Sequence, residues 1–244
     1  MTAPAIETNG LTRRYGALTA VDHLNIRVEK GELFALLGVN GAGKTTTIRM
    51  LCCLTKPTEG DAVLSGASIV REPTHVKEKI GVSPQETAVA ANLTAEENLR
   101  LMCGMHGLSR AETDEKVRAL SERFHLNEVL SRRAGKLSGG WQRRLSIAMA
   151  LGSDPEILFL DEPTLGLDVI ARSELWDVIR GMKGHATIIL TTHYMEEAEA
   201  LSDRVGVMKD GRLLALGTPD ALKAQTGQEK FEDAFIAIVR GASK

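Results

Sequence analysis

The chain has 244 residues, 43% hydrophobic and 25% charged, a globular composition with room for one large or two small domains. Lys and Arg number 30 against 32 Asp and Glu, and the net charge of −2 offers no electrostatic footprint for nucleic acid. No apolar run approaches the roughly 20 residues of a membrane span, residues 1–10 lack the features of a secretion signal, and Cys52, Cys53 and Cys103 show no metal spacing, so a cytosolic chain with reduced, mostly buried thiols is expected.

Residues 5–30 read as β structure, with Leu24, Ile26 and Val28 alternating against polar neighbours as a half-buried strand. Tyr15, ahead of Gly16, reads on its own as a half-buried core tyrosine, with a stacking platform for a flat ring as the alternative. The apolar run Phe34-Ala35-Leu36-Leu37 predicts a buried strand. It leads into Gly38-Val39-Asn40-Gly41-Ala42-Gly43-Lys44-Thr45, which has the spacing of a phosphate-binding loop. A helix is predicted over 46–54, so the loop joins a strand to a helix N-terminus, where free N–H groups and the dipole favour phosphate. Gly38, Gly41 and Gly43 let the backbone wrap closely. Lys44 would reach the β- and γ-phosphates, and the Thr45 hydroxyl would hold Mg²⁺.

Short strands are predicted at 61–64 and 80–82, the latter ending at Pro84-Gln85. Gln85 lies past a strand end, where ligands of α/β sheets gather, although alone it reads as a surface glutamine. From about 86 to 150 strand-like runs are absent. Thr94-Ala95-Glu96-Glu97 is a capping box opening a helix to about Met105, and Ser109 caps another to about Phe124. This stretch reads as a helical subdomain inserted into an α/β core. Leu137-Ser138-Gly139-Gly140-Trp141 precedes a helix over 142–151; it is either a second anion-binding helix start or an ordinary Ser-capped one.

Ile157-Leu158-Phe159-Leu160 is a buried-type strand closed by Asp161 and Glu162. In a chain with a phosphate loop, Asp161 would assist the metal and Glu162 would polarise an attacking water. Asp168 falls in the following loop, and a helix is expected over 171–182. The strand at 187–190 ends at Thr191-Thr192-His193, where the histidine can reach a γ-phosphate or serve structure. A short helix over 194–201 follows, then a hairpin about Asp210-Gly211, a Pro219-started helix and a last helix over 231–239.

Phosphate loop, glutamine, Leu-Ser-Gly-Gly, strand-Asp-Glu and histidine, in that order, resemble the nucleotide-binding subunit of an ATP-binding cassette (ABC) transporter over about residues 5–240. The resemblance implies an α/β P-loop NTPase (RecA-like) core with an antiparallel β subdomain and an inserted α-helical subdomain. The implied boundaries are 1–85 and 153–217 for the core with its β subdomain, 86–152 for the helical signature subdomain and 218–244 for a short helical tail. It implies ATP and Mg²⁺ as ligands. Tyr15 becomes the adenine-stacking aromatic, and Gly38 to Thr46, with Asn40, Gly41, Gly43, Lys44, Thr45 and Thr46, the nucleotide cradle. Gln85 senses Mg²⁺ and touches the membrane partner, Asp161 serves Mg²⁺ with Thr45, Glu162 is the base, and His193 meets the γ-phosphate. Ser138, Gly139 and Gly140 bind the γ-phosphate of ATP on the opposite subunit, and Asp168 crosses the dimer interface. Trp141 departs from the usual pattern.

Tyr194 to Glu199, Asn92-Leu93-Thr94, Glu97-Asn98-Leu99 and Phe231 to Phe235 resemble ATPases of ABC-2 type exporters, including antibiotic-resistance and nodulation-factor members. The implied partners are a second copy or a homologous ATPase and an integral membrane permease, whose short cytosolic helix would seat in an apolar groove beside Gln85. The implied location is the cytoplasmic face of the membrane, and no length remains for the C-terminal regulatory domain of many sugar importers. The alternatives are a soluble ABC ATPase of translation or DNA repair, and a regulatory cassette that binds nucleotide but hydrolyses it poorly.

Overall fold

The computed structural model describes residues 3–241, so residues 1–2 and 242–244 of the expected boundaries lie outside the described residues. The chain opens with β1 (Ile6–Tyr15), β2 (Leu18–Leu24) and β3 (Arg27–Val28), followed by β4 (Leu33–Gly38) and α1 (Lys44–Leu51). Next come β5 (Glu59–Leu64), β6 (Ala67–Ser68), α2 (Pro73–Glu78) and β7 (Ile80–Ser83). The helical stretch holds α3 (Ala95–Met105), α4 (Arg110–Arg123), two short 3-10 turns and α5 (Gly139–Ala150). Then follow β8 (Ile157–Asp161), α6 (Val169–Arg180), β9 (Thr187–Thr192) and α7 (Met195–Leu201). The chain closes with β10 (Arg204–Lys209), β11 (Arg212–Gly217), α8 (Pro219–Thr226) and α9 (Phe231–Gly241).

The strands form two sheets. One is antiparallel, in the order β2-β1-β5-β6 with β3 against β1; the other has the order β11-β10-β4-β9-β8-β7 and is parallel except for β11. A parallel sheet is covered on both faces, which is why its strands read as unbroken apolar runs. Side-chain alternation divides those runs between two cores. In β4, Leu33, Ala35 and Leu37 pack with the helical stretch, α6 and α7, while Phe34 and Leu36 pack with α1 and the antiparallel sheet. In β8, Leu158 and Leu160 take the first side, Ile157 and Phe159 the second. The phosphate-loop fold with its antiparallel sheet and helical insertion is thus organised around one central layer.

Several local expectations needed correction. Leu24, Ile26 and Val28 are all buried, but they do not form one strand. His23 takes a left-handed φ of 48°, the Ile26 N–H donates to the Thr8 hydroxyl at 2.8 Å, and the Gly10 N–H donates to the Asn25 side chain at 2.8 Å. Side-chain acceptors replace the ladder there and break it. Helix α1 begins two residues earlier than expected and ends at Leu51 rather than Leu54, because Cys53 turns left-handed at φ 55° and the Leu54 N–H closes back on Arg49 O at 2.9 Å. The elements β6 and α2 carried no expectation from sequence; both are too short for a periodicity to develop. Cys52 and Cys103 are buried as expected, while Cys53 is half-buried. The capping box at Thr94 with Glu97 forms as expected, and the expected Ser109 cap is also a box, closed by Glu112.

Candidate functional site

Four adjacent parallel strands, β4, β9, β8 and β7, all end on the same edge of the central sheet. Their C-terminal ends deliver, respectively, the glycine loop, His193, Asp161-Glu162 and Pro84-Gln85. Residues more than 150 positions apart therefore meet in one crevice, where α/β sheets bind ligands.

The loop is shaped by its glycines. Gly43 caps α1 at φ 101°, and a Cβ there would lie 2.4 Å from Ala20 O, so no other residue fits without displacing the β1–β2 region. No side chain caps α1, so its first N–H groups stay available at the positive end of the helix. Lys44, only 6% exposed, folds back so that Nζ donates to Gly38 O at 2.7 Å and lies 3.3 Å from Glu162 Oε1. The other oxygen of Glu162 meets His193 Nδ1 at 2.7 Å. Glu162 thus sits between an ammonium and an imidazole, in a backbone conformation of φ 49° that a side-chain-bearing residue seldom adopts. Its N–H donates to both the Thr191 carbonyl and hydroxyl at 3.1 Å, which holds it there.

Asp161, 5% exposed, accepts from the Thr45 hydroxyl at 3.3 Å and closely from the Thr191 hydroxyl. A carboxylate and a hydroxyl converging at a phosphate loop form a hard-oxygen set suited to magnesium. A cavity of about 670 Å³ opens over these groups, large enough for a nucleotide. It brings together Tyr15, Asn40, Gly41, Gly43, Lys44, Thr45, Thr46, Gln85, Glu162 and His193. Gly38 lies at the base, at the end of β4, and Asp161 lies behind Thr45.

Tyr15 is 45% exposed, against the core reading of the residue taken alone; Arg13 stacks on its ring at 4.4 Å and the ring borders the cavity. Gln85 is exposed too, but it faces the same space. Ser138, Gly139, Gly140 and Asp168 do not line the cavity. Ser138 is exposed at the N-terminus of α5 and its hydroxyl makes no cap bond, so it does not behave as an ordinary Ser cap. Asp168 caps α6, accepting from the Ala171 N–H at 2.9 Å. Trp141 is half-buried against the core and stacks on Arg144 at 5.0 Å, which in turn pairs with Glu174.

Sequence reasoning missed two residues here. Thr191 anchors Asp161 and Glu162 at once; its only signal was a threonine at the end of an apolar strand. Arg143, 4% exposed, stands between Gln142 and Arg144 with no sequence signal of its own. Its guanidinium donates to Pro84 O and Gln85 O at 2.6 Å each and to Glu162 O at 3.4 Å. Burial pulls it down from its ordinary value, with Asp161 and Glu197 opposing. Arg143 therefore straps helix α5 to two of the four strand ends. Arg143→Met is expected to orphan those carbonyls and lower stability by about 2 kcal/mol, read as a shifted urea midpoint.

The fold and the crevice define a phosphate-loop α/β protein. The chain belongs to the ABC transporter family, whose description "ABC transporter" matches residues 21–165. It is 41% identical over 246 residues to the probable multidrug ABC transporter ATP-binding protein YbhF of Escherichia coli, covering 98% of this chain and 42% of that protein. It thus spans less than half of that relative's length. It is 42% identical over 233 residues to the daunorubicin resistance ATP-binding protein DrrA3 of Streptomyces coeruleorubidus, covering 95% of this chain and 74% of that one. A solved dimeric structure of a bacterial ABC transporter cassette superposes with a TM-score of 0.79 at 25% identity, covering 87% of this chain and 98% of its own.

Proposed function

We propose that this chain binds and hydrolyses ATP as one subunit of an ABC transporter, closing with a second copy or a homologous ATPase to drive export through a separate membrane permease. The observation that carries the reading is the division of the site. Ten of the expected ligand residues share one cavity, while Ser138, Gly139 and Gly140 present an uncapped helix start elsewhere on the surface. Such a helix start suits the γ-phosphate held by another molecule. ATP would then join two chains, and its hydrolysis would release them.

In this reading Tyr15 stacks on adenine, the loop from Gly38 to Thr46 holds the phosphates, and His193 contacts the γ-phosphate. Glu162 draws the proton from the attacking water, with Lys44 and His193 holding its carboxylate in place. Asp168 faces the second copy. Thr45 and Asp161, with Gln85, would hold magnesium, which when bound neutralises phosphate charge. The core comprises residues 1–85 and 153–217, the helical subdomain 86–152 and the tail 218–244.

No described helix is long and apolar enough to cross a membrane, so the membrane path belongs to a partner in this reading. A cavity of about 250 Å³ between β7, α3 and α5, lined by Val82, Met102 and Met149 among others, supports a seat for a short permease helix. Leu101 and Met105 stand exposed on α3. The multidrug and daunorubicin-resistance relatives favour an ABC-2 type exporter and a place at the cytoplasmic face over a translation or repair role.

A complementation assay tests the shared site. Ser138→Arg and Lys44→Ala should each be inactive alone. Their mixture forms heterodimers with one intact composite site, so ATP hydrolysis is expected on mixing, at no more than about half the wild-type rate per dimer. No hydrolysis on mixing, with heterodimers present, argues for a site within one chain.

A further inference from the structure

Glu197 lies outside the crevice and has no part in the chemistry above, yet it is fully buried on α7. One of its oxygens, Oε1, accepts from the Thr164 hydroxyl at 2.8 Å and from Trp176 Nε1 at 3.1 Å. The other, Oε2, is buried with no hydrogen-bond partner of normal geometry among the described residues. Burial pushes the Glu197 carboxyl up, reinforced by Glu162 and opposed by Thr192, Thr164 and Trp176.

The two donors come from elements that matter. Thr164, itself fully buried, lies in the loop between Glu162 and Asp168. Trp176 lies two turns into α6, the helix that Asp168 caps. A second contact runs in parallel, four residues earlier on α6 and three earlier on the α7 side. Arg172 stacks on Tyr194 at 4.7 Å, and the Tyr194 ring lies 4.1 Å from that of His193. Two adjacent rungs therefore join the Asp168-capped helix to the segment that carries His193.

We propose that Glu197 is a positioning residue that clasps the Glu162–Asp168 loop and α6 to the His193 segment, so that a shift at Asp168 reaches the His193–Glu162 pair. The proposal rests on the ATPase reading for its effect on turnover, but the clasp itself is a property of the chain alone.

Glu197→Gln keeps a neutral acceptor oxygen for both donors; Glu197→Ala removes it. Two measurements decide the matter. In steady-state hydrolysis, the Gln variant should stay within about twofold of wild type, while the Ala variant should lose roughly tenfold in kcat with KM within about threefold. In hydrogen exchange on the nucleotide-free protein, the Ala variant should lose protection in 163–168 and 192–196 together, with β1 and β5 unchanged. The Gln variant should retain protection in both. A Gln variant as impaired as Ala, an Ala variant with wild-type turnover, a uniform rise in exchange, or loss in one segment only would overturn the clasp. Absence of hydrolysis in the wild type would overturn the ATPase reading instead, and the exchange pattern would still decide for or against the clasp.

Discussion

Glu162→Gln is expected to reduce ATP turnover by at least about 100-fold, the lower range for losing a positioned general base, while nucleotide still binds. The substitution preserves volume and leaves an oxygen that can meet Lys44 Nζ or His193 Nδ1, which lie 3.3 Å and 2.7 Å from the two carboxylate oxygens. The backbone bonds from the Glu162 N–H to Thr191 do not depend on the side chain, so the left-handed turn survives. What disappears is the negative charge that accepts a proton. With hydrolysis blocked and binding intact, the protein should accumulate as an ATP-held dimer. Phosphate release and size-exclusion chromatography with and without ATP measure the two halves of this expectation. Undiminished turnover would remove Glu162 from the role of base.

Lys44→Ala is expected to weaken ATP binding by about 100-fold or more, since a charge-assisted hydrogen bond to phosphate is worth about 1.5–3 kcal/mol and the ammonium serves more than one oxygen. A second effect adds to the first. Lys44 is buried beside Glu162, and its removal leaves that carboxylate with His193 alone, deepening the negative potential where phosphate must enter. Calorimetric titration with ATP and magnesium at two ionic strengths checks both contributions. Affinity equal to wild type would place the phosphates elsewhere.

The parts that were legible in the sequence are those in which chemistry is local. A glycine loop between a buried strand and a helix, and an apolar strand closed by two acids, each declare themselves within ten residues. The capping box at Thr94 and the cap at Ser109 did the same for the helical stretch. Contacts that couple distant segments were not legible. Nothing around Arg143 says that its guanidinium closes on carbonyls nearly 60 positions back, and nothing at Thr191 says that it holds Asp161. Tyr15 was ambiguous because an aromatic at a strand end fits a core and a ligand wall equally well until the neighbouring loop is placed. The break between Leu24 and Arg27 was not legible because alternating burial persists even where side-chain acceptors replace the ladder.

The carboxylate of Asp168 is already engaged at home, where it secures the first turn of α6. The cap occupies one carboxylate oxygen only, so a neighbouring molecule can meet the other without disturbing the helix start. The group is therefore already aimed before any encounter, and little side-chain freedom is left for association to remove.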